Sequence, residues 1–151
     1  MITYQTPVIA DWVDYNGHLR DAFYLLIFSY ATDAFMDRIG LSNDDRGQNG
    51  TSLFTLEAHI HYLHEVKLDA HVEVHSQVIG YDRKRLRLYH SLHLAGDATV
   101  LAASEQMLLH VDLTGPKSAP FGPRTVQLLE KWVEAQEPTQ APPYPARAMS
   151  L

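Results

Sequence analysis

The chain has 151 residues, 46% of them hydrophobic, a formal net charge of −6 and no cysteine. That length and apolar content fit one domain with one core. The acidic balance speaks against a general nucleic-acid role, and the lack of cysteine excludes disulfides, a thiol nucleophile and thiolate metal sites.

The first residues lack the charged and apolar regions of a signal peptide, and no run approaches the roughly 18 apolar residues of a membrane span, so a cytoplasmic protein without membrane contact is expected. Residues 3–9 predict a short first strand whose Pro7 marks an edge or an irregular end. The stretch Asp14-Tyr15-Asn16-Gly17-His18-Leu19-Arg20-Asp21 follows as a polar loop. Residues 22–39 predict a long helix: Phe23, Leu25, Leu26, Ile27, Phe28, Ala31, Ala34, Phe35 and Ile39 leave only a thin polar stripe of Ser29, Thr32, Asp33 and Asp37. A helix apolar around most of its surface belongs inside a fold. Gly40 is its natural stop, and residues 42–50 read as a polar loop dense in turn formers.

From residue 52 the period changes to two. Phe54, Leu56, Ala58, Ile60 and Tyr62 alternate with polar residues, as do Val72, Val74 and Val78, then Leu86, Leu88, Leu92 and Leu94. Leu101, Ala103, Met107, Leu109 and Val111 share one face of a last long strand. Gly80-Tyr81-Asp82 and Ala95-Gly96-Asp97 are turn signals at hairpin spacing. Pro123 opens a short helix over residues 123–134 that uses Val126, Leu129 and Val133. The expected organisation is one domain over residues 1–136 and a Pro-rich extended or disordered tail over 137–151, with Pro138, Pro142, Pro143 and Pro145. The order predicts an α+β domain: an antiparallel five-stranded sheet wrapped around one long helix, with a short C-terminal helix. The uncovered sheet face needs polar side chains or a partner.

The polar loop carries the chemistry. Asp14 at the mouth of a buried helix can serve as general base or nucleophile, or merely cap a turn. Asn16 can donate its amide hydrogens to a carbonyl oxygen, beside unpaired N–H groups at the helix start. Gly17 allows close backbone approach or a positive φ. His18 can act as acid, base or orienter of Asp14. Arg83-Lys84-Arg85, with Arg87, gathers four of the twelve basic residues and could hold phosphates, or could simply be a basic hairpin face. His59, His61 and His64 raise a zinc site, but spacing fixes no third ligand, and no metal is expected.

On these residues the chain resembles hotdog-fold acyl thioesterases over about residues 3–122. Asp14, Gly17 and the helix with Tyr24-Leu25 are similar to the catalytic loop of the 4-hydroxybenzoyl-CoA thioesterase group. Asp14-x-Asn16-x-His18 and Tyr62-Leu63-His64-Glu65 are similar to the Asp-x-Asn-x-His and Tyr-x-x-Glu segments of plant acyl-carrier-protein thioesterases. The chain also looks similar to the betainyl-CoA thioesterase found with carnitine dehydrogenases. The resemblance implies a hotdog fold and hydrolysis of an acyl-CoA thioester. It implies no cofactor beyond the CoA of the substrate, and a homodimer or homotetramer with the site between subunits. It assigns catalysis to Asp14, Asn16, His18 and Glu65; apart from the resemblance, Glu57 is a rival to Glu65 because it shares a strand face with His59 and His61. Trp12, Tyr15, Gly17, Arg20 and Tyr24 are expected to line the substrate, and Arg83, Lys84 and Arg85 to meet the CoA phosphates. Trp12, Tyr15, Phe23, Tyr24, Phe28 and Tyr30 supply aromatics for a quaternary-ammonium cage, with Asp11 as counter-charge.

Two departures matter. Arg20 and Asp21 stand where the relatives have two asparagines, and the helix-to-strand loop is longer than theirs, which bears on the match at Glu65. Hotdog enoyl-CoA hydratases read Asp-x-Asn-Pro-x-His, whereas here glycine replaces proline and His18 falls one residue early. Hydration and non-catalytic acyl-CoA binding are the competing functions.

Overall fold

The computed structural model describes residues 1–136 and 141–151. The expected α+β architecture is present. The elements are β1 (Ile2–Pro7), α1 (Asp21–Arg38), α2 (Asn43–Asn49), β2 (Thr51–Tyr62), β3 (His71–Tyr81), β4 (Arg85–Leu94), β5 (Ala102–Asp112), β6 (Lys117–Ser118) and α3 (Pro123–Ala135). The antiparallel sheet has the order β1-β3-β4-β5-β2, with the two-residue β6 added to β5. This sixth strand was not expected from the sequence; it is too short to carry an alternating pattern.

Residues 42–50 are not a loop. Ser42 accepts the Asp45 N–H while Asp45 accepts the Ser42 N–H, a capping box that starts α2. Asn43, Asp44 and Asp45, which read as turn formers, are here the first turn of a helix capped by Ser42. The β3–β4 turn also lies later than expected. Gly80 and Tyr81 belong to β3, and Asp82 closes the turn by accepting the Lys84 and Arg85 N–H groups at 2.9 and 2.8 Å.

Helix α1 fills the concave face of the sheet. Ile27, Phe28, Ala31 and Phe35 are wholly buried, each large apolar side chain contributing roughly 1.5–3 kcal/mol. Two apolar clusters result. One joins Ile27, Phe28 and Ala31 to Val72, Val74 and Leu92; the other joins Phe35 and Ile39 to Leu86, Leu88, Leu108 and Trp132.

A polar belt crosses the core between them. His90, wholly buried, has Nδ1 2.7 Å from the Ser76 hydroxyl and Nε2 2.9 Å from the Thr32 hydroxyl. Thr3 meets Ser76 at 2.7 Å, and Thr32 also reaches Gln106 at 3.1 Å. A neutral imidazole with its proton on Nε2 satisfies both neighbours, because Ser76 can donate and Thr32 can accept. Burial pushes the His90 pKa down to about 3.

The belt corrects two expectations. Thr32 is set apart from the rest of the polar stripe: it is buried, while Ser29, Asp33 and Asp37 are exposed. The helix-facing side of β5 is Ala102, Ser104, Gln106 and Leu108, not the more apolar odd positions. In α3, likewise, Leu129 and Trp132 are buried and Val133 is exposed.

On the convex face, Arg87 pairs with Glu105 on β5. Part of the C-terminal segment lies over it: the Ala146 N–H donates to Glu105 at 2.8 Å, and the Pro145 carbonyl meets His61 Nε2 at 3.2 Å. Tail residues 144–146 are therefore seated on the sheet, whereas Pro138 lies outside the described residues. No helix among the described residues is long and apolar enough to cross a membrane.

Candidate active site

Asp14 clamps its own loop. Its Oδ1 accepts the N–H groups of Asn16 at 2.9 Å and His18 at 3.1 Å. The main chain closes the turn through Asp14 N–H to the His18 carbonyl at 2.8 Å and Gly17 N–H to the Asp14 carbonyl at 3.0 Å. The His18 N–H, with the Asn16 N–H behind it, holds the Asp14 carboxyl below the usual carboxylate range. Oδ2 has no hydrogen-bond partner among the described residues. One oxygen thus fixes the loop and the other is available for chemistry. Gly17 takes φ +74°, which the turn requires.

The loop is laced to the connection between β2 and β3. Leu19 N–H donates to the Val66 carbonyl at 2.7 Å, Leu68 N–H donates to the Gly17 carbonyl at 2.9 Å, and His18 forms a bridge with Lys67. This pairing brings His18 Nε2 to 3.3 Å from a Glu65 carboxylate oxygen. Two segments far apart in sequence become one surface.

Beside them is a pocket of about 310 Å³ lined by Leu19, Asp21, Tyr24, Tyr62, Leu63, His64 and Glu65. The Tyr24 hydroxyl donates to the His64 carbonyl and the Tyr62 hydroxyl to the Asp21 carbonyl, both at 3.2 Å. The two rings meet edge to face at 5.2 Å.

Several expected residues lie elsewhere. Trp12 is buried and stacked on Phe23 at 6.2 Å, so it packs the core. Phe28 stacks on His90 and Tyr30 packs on Tyr4. Asp11 is in a short 3₁₀ turn outside the pocket lining. Tyr15 is fully exposed beside Asp14, and Asn16 is exposed. Arg20 turns back on the main chain, its Nε donating to the Val13 carbonyl at 3.3 Å. Helix α1 does not present an open row of donors: Ala22 N–H is taken by Asp21 Oδ1 and Phe23 N–H by the Arg20 carbonyl.

Glu57 lines a different cleft, with Arg87 and Glu105 on the convex face. The His59 and His61 rings lie 4.7 Å apart, but His61 is committed to Pro145. Among the described residues no three His, Asp or Glu side chains converge on a metal position.

The basic turn is the largest displacement from expectation. Arg83, Lys84 and Arg85 line a separate groove with Asp82, Leu109 and Ser118. They sit at the Tyr81 end of β3, while the Asp14 loop lies at its His71 end. About 33 Å of strand separates the two ends. Arg85 is also paired to Asp82, whose pKa that guanidinium and the turn N–H groups lower to about 2.

Sequence reasoning missed Tyr62 and Asp21 as pocket walls. Tyr62 was visible only as the first member of Tyr-x-x-Glu, and Asp21 only as a departure from the relatives' asparagines.

The family model described as thioesterase-like superfamily matches residues 8–133. The betainyl-CoA thioesterase of Pseudomonas aeruginosa is 55% identical over 151 residues, covering 100% of this chain and 95% of that protein. The L-carnitine dehydrogenase/betainyl-CoA thioesterase of Agrobacterium fabrum is 41% identical over 134 residues, 89% of this chain but only 27% of that longer protein. A Staphylococcus aureus protein solved in complex with CoA superposes with a TM-score of 0.93 at 27% identity, covering 100% of this chain and 96% of that one.

Proposed function

We infer the reaction from one premise: the chain belongs to the thioesterase-like superfamily. It has the hotdog fold and hydrolyses an acyl-CoA thioester to the free acid and CoA. We propose that the acyl group is betainyl, as in the name of the Pseudomonas aeruginosa relative, and that the reaction belongs to carnitine or betaine metabolism.

In the proposed mechanism water adds to the thioester carbonyl while Asp14 Oδ2 takes its proton. The tetrahedral adduct collapses, the C–S bond breaks, and CoA leaves as a thiolate that recovers the proton. The Asn16 amide, and His18 in its doubly protonated form with Nε2–H held by Glu65 and Nδ1–H left over, would donate to the carbonyl oxygen. A positive charge two bonds from the carbonyl makes betainyl thioesters unusually electrophilic, so a single carboxylate base is enough. No cofactor enters these steps. A cytoplasmic setting is supported by the presence of acyl-CoA there.

The observation that carries the reading is the lacing of residues 14–19 to residues 65–68, which joins the Asp14 clamp to the His18–Glu65 pair. Hydration is disfavoured by the same loop. Its Gly17 has φ +74°, which the proline of the hydratase motif cannot adopt.

We also propose a homodimer, or a tetramer built from it, through β2. This strand is a sheet edge twelve residues long with Phe54 and Leu56 exposed on it, and such an edge invites pairing. Two-fold antiparallel pairing sets the Tyr62 end of one β2 beside the Thr51 end of the other. Thr51 pairs with Asp112, on the sheet end that carries the basic turn. The turn of one subunit would then serve the CoA phosphates at the site of its partner. A thiol-release screen over betainyl-, short-chain, aromatic and long-chain acyl-CoA tests the function, with betainyl-CoA expected to be the best substrate. No thiol release from any of them would overturn hydrolysis; release from others alone would overturn the substrate.

A further inference from the structure

The pocket beside His18 and Glu65 has an unusual lining for an acyl site. Two tyrosine rings form its walls, and the carboxylates of Asp21 and Glu65 border it. Neither Lys nor Arg is among its lining residues. Both tyrosine hydroxyls are spent on main-chain carbonyls, which fixes the rings and leaves their π systems as what the pocket offers. A neutral acyl chain gains nothing from two carboxylates. A quaternary ammonium, which cannot donate a hydrogen bond, gains from both the charges and the ring quadrupoles.

We infer that Tyr24 and Tyr62, with Asp21 and Glu65, form the subsite for the trimethylammonium head of the acyl group, an assignment that rests on the betainyl-CoA reading. It replaces the cage expected around Trp12 and Asp11, which the fold sends into the core and onto the surface.

Distance supports it. In a betainyl group the nitrogen stands about 2.5 Å from the carbonyl carbon, as in any glycine skeleton. The cation subsite must therefore touch the reacting groups. This pocket does: Glu65 is both its wall and the partner of His18 at 3.3 Å. The electrostatics agree. Burial first, then the Glu65 charge, raises the Tyr24 pKa; burial first, then the Asp21 charge, raises that of Tyr62. The burial part opposes any charge; the carboxylate part, from Glu65 and Asp21, is the part that favours a cation.

The test compares kcat/KM for betainyl-CoA with that for its neutral carbon isostere, tert-butylacetyl-CoA. Each value is first divided by the hydroxide-catalysed rate of the same thioester. The wild type is expected to prefer betainyl-CoA by about tenfold or more. Tyr62→Leu is expected to cut that preference by about 5- to 30-fold, and Asp21→Asn by about threefold or more. Tyr62→Phe keeps the ring and is expected to keep the preference. Both positions are exposed, so folding is retained; circular dichroism melts check it. For any variant inactive on both thioesters, calorimetric binding of the inert thioethers S-trimethylammonioethyl-CoA and S-neohexyl-CoA gives the same ratio. A wild-type preference near unity, or one unchanged in both Tyr62→Leu and Asp21→Asn, would overturn the cage. Hydrolysis of neither thioester by the wild type would instead remove the thioesterase reading, with the thioether ratio still deciding whether the pocket takes a cation.

Discussion

His18 Nε2 lies 3.3 Å from a Glu65 carboxylate oxygen, and the Glu65 side chain is 76% exposed. An exposed ion pair of this kind is worth roughly 0–1 kcal/mol to the fold. In the proposed mechanism its role is to orient the imidazole. Glu65→Gln is therefore expected to leave the melting temperature nearly unchanged while lowering kcat by about 100-fold, the low end for an acid–base position. Thermal melts and thiol release on the same preparation check this; equal kcat in both proteins would return Glu65 to the solvated surface.

One Asp14 oxygen holds the loop and in the proposed mechanism the other takes a proton, and two variants separate these roles. Asp14→Asn keeps an acceptor for the Asn16 and His18 N–H groups but removes the base. It is expected to fold normally and lose about 100- to 10,000-fold in kcat. Asp14→Ala removes the clamp as well and is expected to raise amide exchange in residues 14–19. Because its N–H donors lower the Asp14 pKa below 3.8, the carboxylate is ionised throughout the neutral range. The acidic limb of kcat/KM that belongs to it is expected below pH 4.

Placement of the basic turn opposite the Asp14 loop gives a test of subunit exchange. Replacing Arg83 and Lys84 together by Ala is expected to raise KM about tenfold or more, with kcat little changed, through lost charge-assisted phosphate contacts. Mixing that variant with Asp14→Asn is expected to restore the low KM, since one site of each mixed dimer then has an intact loop and an intact turn from its partner. A mixture that keeps the raised KM after exchange would mean that the turn serves its own chain; an unraised KM in the variant itself would mean that it serves none. Phe54→Lys with Leu56→Lys is expected to abolish the dimer in ultracentrifugation.

The His90 belt makes stability depend on pH in a stated direction. Folded His90 stays neutral until about pH 3, whereas the unfolded imidazole protonates near 6.5. The unfolded state thus binds the extra proton first. Stability is complete above about pH 6.5 and falls between there and pH 3, by up to about 1.4 kcal/mol per pH unit. His90→Gln is expected to be the less stable protein at pH 8, and the gap is expected to narrow on acidification. Urea titrations of both proteins from pH 8 to pH 4 measure it.

Much of this was legible in order and spacing. The period of two in Val72, Val74 and Val78, and in Leu86, Leu88 and Leu92, fixed which side of β3 and β4 meets the helix, and the structure agrees. In β5 the same reasoning chose the wrong side. There the inner face carries Gln106 because the helix offers Thr32, and two polar partners that satisfy one another look like no pattern in either segment alone.

By itself the sequence determined the helix-in-sheet architecture and the Asp14–His18 loop, because both are local: periodicity within a segment and turn chemistry over five residues. Tertiary structure alone decided which distant groups join them. Main-chain pairing of residues 14–19 with 65–68 chose Glu65 over Glu57, which the strand carried to the convex face. The path of β2 set Tyr62 against Tyr24 and Asp21, while burial drew Trp12 away. And the length of β3 put the basic turn at the far end of the sheet. Such contacts depend on strand register and crossing, which no single segment encodes.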